Sequence, residues 1–270
     1  PLGYMDGDVP HEFPMYSLQK VYAGDTPPQL SSSVVSPKLD GAAVALYYVE
    51  GHLAYALTRG DGTKGKDITS NIMVLDVPKR IATTEKITQI TGEIVAPKSI
   101  KNARNYAAGA LGLKNPEEFA ERDLTFIAYG IHPFSTDSFW SGDMVNLGLQ
   151  GFSTVIQNDW TEYPQDGVVF REDYYHEFIK KGFTSKHPRA AYAFKKVPKG
   201  EITTLLDVVW QVGKSGVVAP VAMLEPVTIG DAKVSRATLH NIQYIRDLDL
   251  EIGCKVEVIR SGEIIPRIVR

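Results

Sequence analysis

A lysine closes one β-type run and an Asp-Gly pair opens the next. The stretch is Val35-Ser36-Pro37-Lys38-Leu39-Asp40-Gly41, and it leads straight into two further runs, Ala42 to Tyr48 and His52 to Thr58, separated by Glu50-Gly51. Alternating Val, Leu, Tyr and Ala around a short glycine turn predicts a β-hairpin directly after Lys38. The fold must therefore hold an amine at a strand end, beside a carboxylate and a residue without a side chain. That is the arrangement a nucleotidyl transferase needs to press a nucleophilic amine against a phosphate. Taken alone, Lys-x-Asp-Gly also fits an ordinary strand end and turn.

Further strand-like runs are Thr88 to Val95, Leu124 to Gly130, Gly167 to Glu172 and Ala191 to Val197. Helical patterning is weaker, with candidates at Lys66 to Met73, Ser99 to Leu113, Pro116 to Ala120 and Trp140 to Leu149. Mixed strands and scattered helices predict an α+β domain over 1–198. After Pro198-Lys199-Gly200 the pattern changes to short strands between glycine turns: Thr203 to Val212, Val217 to Leu224, Val227 to Ile229, Lys255 to Ile259 and Ile264 to Val269. This predicts a small all-β barrel over 199–270. The barrel carries nine basic and nine acidic residues, so a ligand would be met by a groove and not by bulk charge.

The whole chain, 270 residues with a formal charge of −3, has no polycationic field to attract nucleic acid. One local patch departs from this. Lys180, Lys181, Lys186, Arg189, Lys195, Lys196 and Lys199 occur without an acidic residue and with Phe183, Tyr192 and Phe194 between them. A solvated charged face explains part of it; Arg189 and Lys195 are the candidates for phosphate contact. Cys254 is the only cysteine, which excludes an internal disulfide and points to a reducing, cytoplasmic setting. No apolar run is long enough to span a bilayer.

A free lysine amine has a pKa of about 10.4 and is protonated at neutral pH. Lys195, Arg171, Arg59 and a divalent cation on the nucleotide are the groups placed to favour its neutral form and to stabilise charge on phosphorus. Three acids flank small or apolar residues: Asp40, Glu93 in Thr91-Gly92-Glu93, and Asp166 in Gln165-Asp166-Gly167-Val168-Val169. Each alone reads equally as a turn residue; together with Lys38 they suggest one cleft. Tyr129-Gly130 offers an aromatic wall for a base, or a core tyrosine. Asn102-Ala103-Arg104-Asn105 leads into a small-residue helix that packing alone would explain.

These ordered segments resemble the NAD-dependent, bacterial-type DNA ligases. The resemblance runs through His11-Glu12-Phe13-Pro14-Met15-Tyr16-Ser17-Leu18, Lys38-Leu39-Asp40-Gly41, Arg59-Gly60-Asp61-Gly62 to Asn71, Glu93, Tyr129-Gly130, Asp166-Gly167-Val168-Val169 and Ala193-Phe194-Lys195. In the second half it runs through Gln211-Val212-Gly213-Lys214-Ser215-Gly216, Ala237-Thr238-Leu239-His240-Asn241 and Arg260-Ser261-Gly262-Glu263. It implies an ATP-grasp-like nucleotidyltransferase (adenylation) domain followed by an OB-fold. It also implies that Lys38 attacks the α-phosphorus of NAD, and that the adenylate passes to a 5′-phosphate at a nick in duplex DNA. Lys38, Asp40, Arg59, Glu93 and Lys195 would be catalytic. Ser17, Leu18, Ser36, Leu39, Arg59, Glu93, Tyr129, Asp166, Val169, Arg171 and Lys195 would bind the cofactor. Asp40 and Glu93 would hold Mg2+ through water, and Arg104, Arg189, Lys214 and Arg260 would hold DNA.

Several positions depart from the family pattern. Ser36 stands where a glutamate usually contacts the adenine amino group, Arg171 where a lysine is usual, Gly109-Ala110-Leu111-Gly112 where an arginine ends the run, and Thr91 where an arginine precedes Gly-Glu. The family's helical domain for the nicotinamide mononucleotide half, its tetracysteine zinc module, its helix-hairpin-helix repeats and its BRCT domain find no counterpart in these residues. The expectation is a minimal or split form, such as a bacteriophage encodes, acting in the host cytoplasm if viral, with a second subunit supplying the helical domain. Two alternatives are a catalytically incomplete nucleic-acid-binding subunit of a split ligase, and an ATP-using ligase or capping enzyme. The Arg59 to Asn71 block argues against the last.

Overall fold

The computed structural model describes residues 8–22, 25–195, 200–212, 216–229, 232–260 and 266–269. Along the chain the strands are β1 (Val9–Pro10), β2 (Gln19–Tyr22), β3 (Ser33–Leu39), β4 (Ala42–Val49), β5 (His52–Thr58), β6 (Lys64–Gly65), β7 (Ile87–Val95), β8 (Thr125–His132), β9 (Ser153–Thr154), β10 (Gln165–Glu172) and β11 (Ala191–Lys195). Between them lie α1 (Thr69–Met73), α2 (Ala103–Ala110), α3 (Pro116–Ala120), α4 (Trp140–Leu149) and α5 (Tyr175–Lys181). The last stretch holds β12 (Glu201–Val212), β13 (Val218–Ile229), β14 (Ala232–Thr238), α6 (Ile242–Asp247), β15 (Lys255–Arg260) and β16 (Pro266–Ile268). The chain divides into two compact units, Pro1–Lys196 and Val197–Arg270. Among the described residues, no helix is long and apolar enough to cross a membrane.

The first unit holds a four-stranded sheet ordered β2-β11-β10-β3 and a five-stranded sheet ordered β5-β4-β7-β8-β9. Asp40-Gly41 carries the chain from one sheet to the other. The hairpin turn falls on Glu50 and Gly51, both with positive φ (48° and 77°), as a primed turn requires. Strand β4 is apolar on both faces because both are covered. Val44, Leu46 and Tyr48 enter the main core with Ile72, Ile90 and Ile94, while Ala45 and Tyr47 pack on Met15 and Leu57. In α4 the buried Trp140, Met144 and Leu147 form one stripe at helical spacing. Helix α3 starts as its sequence dictates: Asn115 caps it by accepting from the Glu117 N–H at 2.9 Å, and Pro116 takes the first turn.

Two helices are shorter than their patterns predict. Lys66 and Asp67 remain with β5, the Lys66 N–H donating to the Thr58 hydroxyl at 3.0 Å, so α1 begins only at Thr69. Asn102 adopts a left-handed conformation and delays α2 until Ala103. Gly41 is needed for a steric reason, since a Cβ there would lie 2.1 Å from the Ile94 carbonyl oxygen. Gly41→Ala is expected to cost about 2 kcal/mol or more in urea unfolding; a midpoint equal to wild type would show that β3 and β7 separate freely.

The second unit is a closed barrel ordered β12-β13-β14-β16-β15 around Leu205, Leu224, Val234, Val256, Val258 and Ile268. The two strands expected at Val217 to Leu224 and Val227 to Ile229 are one bent strand, β13. Its register shifts between Met223 and Val227, where Pro226 withholds a ladder donor. Asn241 caps α6 by accepting from the Tyr244 N–H at 2.9 Å. The stretches expected as strand at Val197 and at Ile264 and Ile265 lie outside the described residues.

Candidate active site

Antiparallel partners project to the same side of a sheet, so register alone defines one face of the four-stranded sheet. Lys38 pairs with Gly167, Ser36 with Val169, and Val34 with Arg171; Val169 also pairs with Ala193. The face therefore runs from Lys38, past Ser36, Val169 and Ala193, to Arg171. Small side chains in its middle leave room for a flat ligand. At one end the Asp166 carboxylate takes the Lys38 ammonium at 3.0 Å and the Lys195 ammonium at 2.8 Å. Gly167 permits this close packing, since a Cβ there would lie 2.4 Å from the Phe194 carbonyl.

On the five-stranded sheet, Glu93 accepts the Gly41 N–H at 3.1 Å and lies within the field of Lys38, Asp40 and Asp166. Burial raises its pKa to about 7, against the opposing influence of Lys38 and the Gly41 N–H. Burial also raises Asp40, while Arg104, bonded to it at 3.2 Å, pulls the other way. Asp166 behaves oppositely: burial would raise it, but the Lys195 hydrogen bond and the Lys38 charge hold it below the usual carboxylate range. One cleft thus contains an acid kept close to neutral and an acid kept ionised. Tyr129 is partly buried nearby, its phenol pushed upward by desolvation and by Glu93, with Arg59 opposing.

Arg59 is held by the segment before β2. Its Nε donates to the Met15 carbonyl at 3.4 Å, and its N–H to Ala43 at 3.0 Å. His11 Nε2 donates to the Arg59 carbonyl at 2.9 Å, which leaves Nδ1 to accept from the Tyr47 hydroxyl. Met15 N–H donates to Gly62, and His11 N–H to Thr63. Gln89 then fixes Phe13 through both of its backbone groups, at 2.8 and 2.9 Å. The start of the Arg59 to Asn71 block, from Arg59 to Thr63, is thus a loop clasped by residues 11–15. The roles of His11 and Gln89 are missed by the sequence reading, because nothing in their local pattern signals a bond to a loop more than 45 residues away.

The remaining predicted residues are spread more widely. Ser17 bonds the Lys186 carbonyl through both its N–H and its hydroxyl, and Leu18 packs beside Phe178 and Ala190. Leu39 is buried in the main core. Arg171, expected beside Lys38, is corrected by the register: it lies four residues further along the sheet, over the rings of Phe178 at 4.2 Å and Trp140 at 5.3 Å. Burial lowers its pKa to about 10, against Tyr175, Asp173 and Asp143. Arg104 reaches Asp40 in the cleft, and Arg189 is exposed with its guanidinium on the Phe183 carbonyl at 3.2 Å. Arg260 ends β15 opposite Pro266 in the second unit; Lys214 lies outside the described residues.

Among the described residues, no three His, Cys, Asp or Glu side chains converge as a direct metal site. Asp40 and Glu93 fit the looser arrangement usual for Mg2+, which keeps several waters and takes one or two carboxylates together with substrate phosphates.

Comparison with known proteins agrees with the architecture. Residues 7–157 match the NAD-dependent DNA ligase adenylation domain, and residues 202–270 match the NAD-dependent DNA ligase OB-fold domain. The DNA ligase of Wolinella succinogenes is 38% identical over 276 residues, covering 88% of this chain and 42% of that protein. The DNA ligase of Alcanivorax borkumensis is 34% identical over 335 residues, covering 98% and 42%, and that of Oceanobacillus iheyensis 33% over 312 residues, covering 97% and 47%. The chain spans less than half the length of these relatives. With both domain matches in chain order and Lys38, Asp40, Glu93 and Asp166 gathered at one cleft, the chain belongs to the NAD-dependent DNA ligase family.

Proposed function

We propose that this chain is the catalytic core of a DNA ligase that forms a lysyl-AMP intermediate from NAD and uses it to seal nicks in duplex DNA. The supporting observation is the end of the small-residue sheet face, where Asp166 holds the Lys38 and Lys195 ammonium groups together and Glu93 stands across the cleft. An adenosine laid along Ser36, Val169 and Ala193, with Tyr129 closing the other side, puts its phosphate at this end.

In the first step the Lys38 amine, having given up a proton, attacks the α-phosphorus of NAD. A P–N bond forms, the P–O bond to nicotinamide mononucleotide breaks, and the nucleotide leaves. Asp166 orients the amine, and Lys195 takes the phosphate oxygens as negative charge builds on them. A 5′-phosphate at a nick next displaces Lys38 from the adenylyl phosphorus, and the adjacent 3′-hydroxyl then displaces AMP. Mg2+, held by Asp40 and Glu93 through water, would supply further positive charge to the phosphates. Arg59, fixed by Met15 and His11, shapes the nucleotide pocket. Arg104, Arg189, Arg260 and Lys214 are assigned to the strand phosphates.

Sealing of a chemically pre-adenylated nick tests this reading without the NAD-capture step, which the family resemblance assigns to a helical domain. The expected result is Mg2+-dependent joining by the chain alone. No joining, with nicked duplex still bound, would reduce the chain to a DNA-binding subunit.

A further inference from the structure

We propose that Arg104 is an exchangeable counter-ion for Asp40: it holds that carboxylate while no DNA is bound, and leaves it for a strand phosphate when a nicked duplex engages. Asp40 thereby becomes more available to a hydrated divalent cation as the strand arrives, which couples the two ligands. This rests on the ligase reading above and adds an autoinhibitory contact at the mouth of the cleft.

Arg104 is the second residue of α2. Its Nε lies 3.2 Å from Asp40 Oδ1, with the arginine side chain 51% exposed and the aspartate 28%. Among the described residues no ion pair or hydrogen bond engages its two terminal nitrogens, so most of the guanidinium faces solvent. The other cations of the cleft are not loose in this way: Lys38 and Lys195 are both bound to Asp166, at 3.0 and 2.8 Å. Asp40 in turn is partly buried, and Arg104 is the largest of the charges that favour its ionised form, ahead of Lys38 and Lys195. The guanidinium thus supplies positive charge that this carboxylate needs, through a contact that is easily given up.

An exposed, single-point pair of this kind shifts an equilibrium by about fivefold at most. A guanidinium fork on a phosphate makes two parallel charge-assisted bonds and is the stronger partnership. Exchange therefore runs toward a strand phosphate, and the helix leaves room for one. Asn105, Ala108 and Gly109 are exposed beside Arg104, and a Cβ at Gly109 would meet nothing within 4 Å. The same guanidinium opposes a cation on Asp40. At about 5 Å from a divalent ion it weakens binding by about tenfold at the dielectric of water, and by less once salt screens the charges. Whatever draws Arg104 away therefore strengthens the cation at Asp40, and by linkage a cation at Asp40 strengthens the strand contact by the same factor.

Two titrations test the exchange. Mn2+ is added to the DNA-free protein and the free ion read by electron paramagnetic resonance; Arg104→Gln is expected to bind it about fivefold more tightly than wild type. Asp40→Asn identifies the site by losing it. Equal affinity at that site in wild type and Arg104→Gln, or none in either, overturns the inference. Fluorescence anisotropy of a labelled nicked duplex in EDTA measures the other half. Asp40→Asn should tighten DNA binding about threefold more when Arg104 is present than in the Arg104→Gln background, where only the general loss of one negative charge remains. The same gain in both backgrounds overturns the exchange while leaving the ligase reading intact. No binding of nicked duplex by wild type overturns both. Should Asp40→Asn fail to fold, the Gly41 amide signal marks the site: Mn2+ should broaden it at about fivefold lower concentration in Arg104→Gln, and an unchanged concentration rejects the exchange.

Discussion

Lys38→Ala, mixed with NAD and a helical domain able to bind nicotinamide mononucleotide, is expected to gain no AMP-sized mass while wild type becomes stoichiometrically adenylated. The effect should be the largest of any single substitution, because no second amine is placed to replace it. Lys195 shares Asp166 with Lys38, but it sits on β11 and its ammonium already meets the other carboxylate oxygen. Loss of a nucleophile removes about 10^4-fold or more of the rate. Stability should change little, about 1 kcal/mol or less, since the ion pair is partly solvated and Asp166 keeps Lys195. Joining of a pre-adenylated nick should survive in reduced form, because the attacking group in that step is the 3′-hydroxyl. AMP retained on the Lys38→Ala protein would place the nucleophile elsewhere.

Much of this site is legible in the sequence because its parts are local. Lys38, Asp40 and Gly41 share one turn, and the hairpin after them announces itself by alternation and by Glu50-Gly51. The α+β first unit and the barrel of the second follow from similar patterns. What escapes the sequence is long-range. That Glu93 meets Gly41 depends on β4 pairing with β7, and that Asp166 joins Lys38 to Lys195 depends on β10 lying between β3 and β11. Arg171 shows the limit well: its charge suggests a place beside the lysine, but a period of two along β10 carries it past Val169 and away. Arg104 shows the converse, since a residue whose own segment looks like plain helix packing turns out to hold Asp40. The strands β2 and β14 and the helices α5 and α6, with no strong periodicity of their own, are fixed by the partners that cover them.

Glu93→Gln is expected to do two opposed things: reduce nick sealing by about 10^2-fold or more and make the protein more stable at pH 8. A buried acid with a folded pKa near 7 binds its proton more tightly than the unfolded chain does. Its contribution is therefore most favourable below the ordinary glutamate value and declines as pH rises through about 4.5 to 7, the window set by the two values. The neutral amide keeps the Gly41 N–H contact and escapes that decline, a gain of about 2 kcal/mol at pH 8 after allowance for partial solvation. Asp166 has the opposite sign. Held below its ordinary 3.8 by two lysines, it stabilises the fold above that value and loses the contribution as pH falls through its folded pKa. Asp166→Asn should thus destabilise the protein at pH 7, with Lys38 and Lys195 left facing each other, and should lose part of the acid-side slope. Urea unfolding at pH 5 and pH 8 separates the two. If Glu93→Gln were less stable than wild type at pH 8, Glu93 would be a structural tie between β4 and β7, and not an acid kept in an unfavourable state for the chemistry of the cleft.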